Sequence, residues 1–142
     1  MPDFCSGYYK NESPEILIQG IPEGTATLAI IMDDMDHPIF PGFNHWIAWN
    51  IPPVDRIPRA LAHGAVVEEP FHIEQGVAYG KHCYRGPKPP FNWNHRYRIA
   101  VYALKTRLDI STDSKKNNLV TAMEGSVLAQ GELIGKYQRK HK

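Results

Sequence analysis

Proline and glycine cut this chain into apolar segments of strand length, and that punctuation limits its fold more than any other feature. Twelve prolines and eleven glycines fall mostly between runs such as TATLAIIM (25–32), HWIAWNIP (45–52) and RYRIAVYALKT (96–106). The pattern favours a sheet protein with long loops over a helical bundle. TATLAIIM is rich in branched and apolar residues and reads as an interior strand. HWIAWNIP stops at Pro52 and Pro53, which cannot donate to a ladder. RYRIAVYALKT sets Tyr97, Ile99, Val101 and Ala103 against Arg98, Ala100, Tyr102 and Leu104, so both faces turn apolar past Arg98. It reads as a strand entering the core from a polar rim. Only SKKNNLVTAME (114–124) has a helical pattern, with Leu119, Val120 and Met123 expected on one face and Gly125 as the stop. SVLAQGELIGKY (126–137) reads as a last strand, and KYQRKHK at the end as a solvated tail. No repeat, low-complexity tract or linker interrupts residues 1–142, and one mainly β domain is expected.

Charge narrows the function classes. Sixteen Lys and Arg against fifteen Asp and Glu give a formal net charge of +1, too little to recruit nucleic acid or an anionic membrane through a global field. Anion selectivity therefore has to be local. No apolar run approaches the ~20 residues of a membrane helix, and MPDFCSGYYKNE lacks the basic start and apolar stretch of a signal peptide. A cytoplasmic chain without membrane insertion is the expectation. Cys5 and Cys83 are too few for a disulfide framework and form no C-x-x-C, so they read as thiols, with a single Cys5–Cys83 bridge as the alternative.

The polar residues gather at strand ends. Asp33, Asp34, Asp36 and His37 follow the first long strand, His45 opens the second, and His95 precedes the third behind the Pro-rich YRGPKPP loop. Antiparallel pairing would bring these ends together at one rim. A proline-stiffened loop holds its position at low entropic cost, and Gly86 allows close backbone approach to a ligand. A charged imidazole donates from both nitrogens, and a neighbouring carboxylate favours that charged form. Such a rim suits a phosphate-sized anion. Singly, each residue has an ordinary explanation, the aspartates as turn residues, the histidines as structural ones and PKPP as a rigid loop. Their combination is what points to a site.

The same segments resemble a known family. TLAIIMDDMDHP, FNHWIAWNIP, YRGPKPP with NHRYRIAVYAL, and AMEGSVLAQGELIGKY occur in the order and spacing of the phosphatidylethanolamine-binding protein family, also called Raf kinase inhibitor-like proteins, in its short prokaryotic-type branch. The resemblance runs from about Ser13 to Tyr137. It implies a large central antiparallel sheet with a second smaller sheet, a peripheral C-terminal helix and a small anion pocket at one edge. The family's D-P-D-A-P motif falls on Asp34, Met35, Asp36, His37 and Pro38, its aromatic-x-His segment on Phe43, Asn44 and His45, its Gly-Pro loop on Gly86 and Pro87, and its His-Arg-Tyr on His95, Arg96 and Tyr97. The ligand-binding residues so implied are Asp34, Asp36, Pro38, Phe43, His45, Gly86, Pro87, His95 and Tyr97.

Within that resemblance, Asp34 is expected to hold and polarise a histidine and Asp36 to tie down the loop by accepting backbone hydrogen bonds, while Asp33 reads as dispensable. Met35 and His37 depart from the family's usual proline and small residue, Lys88 adds a cation near the mouth, Ser126 stands where many short relatives have histidine, and the N-terminus reads as abbreviated. The implied activity is non-enzymatic and needs no cofactor. It is binding of a phosphate-containing or carboxylate anion, with a kinase or protease as protein partner and a homodimer as assembly. A rival from another class is a metal-dependent hydrolase using Asp34, Asp36, His37, His45 and His95. It lacks H-E-x-x-H, and covalent catalysis lacks both G-x-S-x-G and a phosphate-binding P-loop.

Overall fold

The structure, a computed structural model, describes residues 12–36, 43–78, 80–84, 86 and 94–138, with residues 43, 94 and 134–138 entering by their backbone alone. Strand β2 (Thr27–Asp34) lies inside a six-stranded antiparallel sheet, and all eight of its residues are buried. Leu28, Ile30 and Met32 join one hydrophobic cluster while Ala29 and Ile31 join another, so the strand has no solvent face. Burying each Ile contributes about 1.5–3 kcal/mol, which is why TATLAIIM cannot stay at an edge.

Strand β3 (Phe43–Ile51) pairs with one side of β2 and β7 (Asn94–Leu104) with the other, both antiparallel. With β5 (Val66–Val67), β6 (Ile73–Gln75) and β8 (Val127–Gln138) the spatial order is β5-β6-β3-β2-β7-β8. A two-stranded sheet, β1 (Ile16–Leu17) with β4 (Arg56–Ile57), covers one face through Ile16 and Ile57. Helix α1 (Lys116–Met123) covers the other through Leu119 and Met123. The expected mainly β fold, with a large sheet, a smaller one and a C-terminal helix, is what is found.

Several boundaries differ from the sequence reading. β2 runs through Asp33 and Asp34, which pair with Arg98 and Tyr97 across the ladder, so the acidic pair lies inside the sheet rather than in a hinge. Val120 is exposed, because the buried helix face is set by Leu119 and Met123 one turn apart. Gly125 does follow the helix end, with a left-handed φ of 77° that a glycine accepts without steric cost. Part of the expected tail is strand, since Lys136, Tyr137 and Gln138 pair with Arg96, His95 and Asn94.

Candidate functional site

The end of β2 presents two adjacent carboxylates to opposite faces of the sheet. Asp34 points to the face covered by the small sheet. Its Oδ2 lies 2.9 Å from His95 Nδ1, with both side chains buried, and its Oδ1 accepts the Asp36 backbone N–H at 2.9 Å. A carboxylate only accepts, so Nδ1 of His95 is the protonated nitrogen and the ring orientation is fixed. Tyr97, two positions along β7, is buried on the same face, and its ring lies 6.3 Å from that of His95.

His45 reaches this face because of a β-bulge. On β3, Trp46 and Ala48 pack on the small-sheet side while Ile47 and Trp49 pack on the helix side, so simple alternation would send His45 to the helix. Between Met32↔Trp46 and Asp33↔Asn44, however, the register skips a residue and leaves His45 as the extra one. Its ring instead meets Tyr97 edge-on at 5.3 Å. The rings of His45 and His95 thus flank one tyrosine, although fifty positions separate them in the chain.

Asp36 closes the turn after β2. It accepts the Arg96 backbone N–H at 2.7 Å and takes a two-pronged grip from the same guanidinium, Nε and Nη2 each at 2.9 Å. These bonds from Arg96 hold its carboxyl down at about 2, against an ordinary 3.8, and raise the Arg96 guanidinium in turn. Asp36 therefore stays ionised with its charge matched at close range.

Asp33, read from the sequence as dispensable, faces the helix and is well partnered there. It is 2% exposed, and its carboxylate accepts from Lys116 Nζ at 2.8 Å, Asn44 Nδ2 at 3.2 Å and Arg98 Nη2 at 3.5 Å. A buried carboxylate needs such partners to stay charged. Nearby, burial pushes the Tyr102 hydroxyl above its ordinary range, against the opposing pull of Arg98.

Of the residues singled out from sequence, Asp34, His45, His95 and Tyr97 are brought together, and Asp36 ties down the adjoining turn. Gly86 is buried, and Phe43 is placed only as the cross-strand neighbour of Asp34. Pro38, Pro87, His37, Lys88 and Cys5 lie outside the described residues; Cys83 is buried. Sequence reasoning missed Asn44 and the role of Arg96. The bulge that makes Asn44 matter leaves no trace in the local pattern, whereas an arginine beside a rim histidine and an unmatched Asp36 was a readable signal. Among the described residues no group of three or more His, Cys, Asp or Glu is arranged to hold a metal, and no helix is long and apolar enough to cross a membrane.

A cavity of about 590 Å³ lies elsewhere, between residues 14–22 and the β7–β8 surface formed by Ile99, Val101 and Leu133. None of Asp34, His45, His95 or Tyr97 lines it, and its walls are mostly apolar.

Comparison with known proteins points one way. A family model described as Phosphatidylethanolamine-binding protein matches residues 3–138. A UPF0098 protein of Pyrococcus abyssi is 43% identical over 138 residues, covering 96% of this chain and 76% of that one. A UPF0098 protein of Aquifex aeolicus is 37% identical over 138 residues, covering 95% and 78%. Among solved structures, a putative phosphatidylethanolamine-binding protein homologue from Chlamydia trachomatis superposes with a TM-score of 0.86 at 28% identity, covering 98% of this chain and 89% of that one. YbcL of E. coli, described as a member of the mammalian PEBP family, gives 0.80 at 28% identity, with 93% and 83% covered.

Proposed function

The chain belongs to the phosphatidylethanolamine-binding protein family, and from that premise we propose that the rim formed by Asp34, His45, His95 and Tyr97 binds a small anion, a phosphoryl head group or a carboxylate, without catalysing a reaction on it. The observation that carries this reading is the buried 2.9 Å contact between Asp34 and His95 Nδ1. The contact fixes the ring through Nδ1, and a protonated ring donates from Nε2 as well as Nδ1. The anion is thus met by a charge-assisted donor on a ring that cannot swing away.

Two features keep the rim from repelling its ligand. Asp36 carries a negative charge, but Arg96 offsets it at hydrogen-bond distance. Asp34 spends its two oxygens on His95 and on the Asp36 N–H. With a chain charge of only +1, affinity depends on this local arrangement and on close range rather than on long-range steering. A lipid head group and a free phosphate present the same chemistry here, and the buried Gly86 is proposed as the backbone that limits size. The bound anion, or the rim itself, would then serve as the contact for a kinase or protease partner.

The test is a titration of isotopically labelled protein with glycerophosphoethanolamine and with inorganic phosphate, following the imidazole resonances. Saturable shifts at His95 and His45 are expected for both ligands, with the shift at His45 lost on His95→Ala. Shifts that persist in His95→Ala would remove the imidazole from the site.

A further inference from the structure

We infer that Asn44 and Asp33, which lie on the helix face, opposite the proposed anion site, are the positioning residues that aim His45 into that site; the inference rests on the anion reading and deepens it. Without the bulge, β3 would carry His45 to the same side as Ile47 and Trp49, away from Tyr97 and His95. A bulge breaks regular ladder pairing and leaves backbone carbonyls in need of donors. Here the Asn44 amide supplies them. Its Nδ2 lies 3.1 Å from Met32 O and 3.3 Å from Trp46 O, the two residues that pair directly before the register skips, and 3.2 Å from Asp33 Oδ1.

The amide orientation follows from those neighbours. Three acceptors surround Nδ2, so the flipped amide would set an oxygen against two carbonyls and a carboxylate. Oδ1 is buried and meets no partner among the described residues, a cost borne only because the nitrogen is required where it is. Asp33 in turn is held by Lys116 at the first turn of α1 and by Arg98 of β7. The chain of contacts therefore runs from the helix through Asp33 and Asn44 to the bulge, and the bulge sets the direction of His45. A side chain on one face of the sheet determines which residue is presented on the other.

The decisive experiment compares ring-to-ring nuclear Overhauser contacts between His45 and Tyr97 in the unmutated chain, Asn44→Ala, Asp33→Ala, Asp33→Asn and Ile57→Val, the last a destabilising control in the small sheet. Loss of the His45–Tyr97 contact is expected in Asn44→Ala, with inorganic phosphate binding weakened about ten-fold, the loss of one charge-assisted bond, while the phosphate-induced shift of His95 persists. Asp33→Asn, which keeps an oxygen for the Asn44 amide, should retain the contact that Asp33→Ala weakens. An intact contact in Asn44→Ala, or equal loss in Ile57→Val, overturns the assignment. Should Asn44→Ala not fold, the unmutated chain still decides: slow solvent exchange of the Asn44 side-chain amide protons is expected, and exchange at the rate of a free amide refutes it. Absence of any phosphate shift at His45 and His95 in the unmutated protein would defeat the anion reading alone, because the ring contact and the amide exchange are read without ligand.

Discussion

Asp33 and Asp34 are neighbours in sequence, equally buried, and opposite in what they face. Asp33 meets Lys116 and Arg98, cations that hold their charge across the ordinary pH range; Asp34 meets His95, an imidazole, the side-chain type that ionises near neutrality. One carboxylate is locked into a permanent ion cluster that ties α1 to the sheet. The other holds a single histidine beside the proposed anion site. On the proposed reading a buried acid is structural or functional according to its partner, and a strand's alternation places the two kinds back to back.

The largest expected effect separates the faces by stability. Asp33→Ala leaves Lys116 and Arg98 without their buried carboxylate, but both are about a third exposed and can turn to water, so the cost should fall below the ~3–5 kcal/mol of a fully buried broken pair, at about 2–3 kcal/mol. Urea unfolding measures it as a lower midpoint at unchanged slope. Asp34→Ala should cost less, about 1–2 kcal/mol, because it deprives one imidazole N–H and one turn N–H of their acceptor rather than two cations of their counter-charge. Equal losses would mean that the kind of partner makes no difference.

Binding should rank the two the other way. Asp34→Asn is expected to weaken phosphate binding by roughly ten-fold or more at fixed ionic strength, since it removes support for the charged imidazole. Simple repulsion predicts tighter binding when a negative charge is removed, so the sign of the change decides, and calorimetry reads it.

Smaller effects come from pH. Asp36, depressed from 3.8 to about 2, contributes stability that is fully present above its ordinary value and lost as pH falls through its folded one. Acid titration should release the turn after β2 near pH 2, seen in the Arg96 Nε resonance, and Asp36→Asn should abolish that step. The smallest effect is expected at His72, far from the rim. Glu74 and then Glu68 raise its pKa above 6.5, so its contribution is complete below 6.5 and disappears as pH rises through the raised value. Amide exchange in β5 and β6 should quicken over that interval beyond its ordinary dependence on pH, and His72→Gln should remove the excess.

How much of this was legible in the sequence depends on whether the cause was local. The apolar strands and the helix stop at Gly125 were readable because period and punctuation are short-range signals. The meeting of Asp34 with His95 was foreseeable only as converging strand ends, since their separation of 61 residues is bridged by sheet pairing. The role of Asp33 was misread because its partners come from β3, β7 and α1, none of them near it in the chain. The His45 bulge was invisible for the same reason; alternation in FNHWIAWNI gives no hint that the phase changes at Asn44. Gly76 went unremarked too, although a Cβ there would stand 2.6 Å from Ile47 Cδ1, Trp49 Cζ3 and Ser114 O, a crowding that only the folded core creates.

The most direct test of the contrast between the faces is one titration of the unmutated, side-chain-labelled protein with glycerophosphoethanolamine. Saturable perturbation of His45, His95 and Tyr97, with the Lys116 Nζ and Arg98 guanidinium resonances unmoved, is the result expected if the small-sheet face binds the anion and the helix face only supports it. Perturbation centred on Lys116 and Arg98, with His95 and His45 silent, would contradict it.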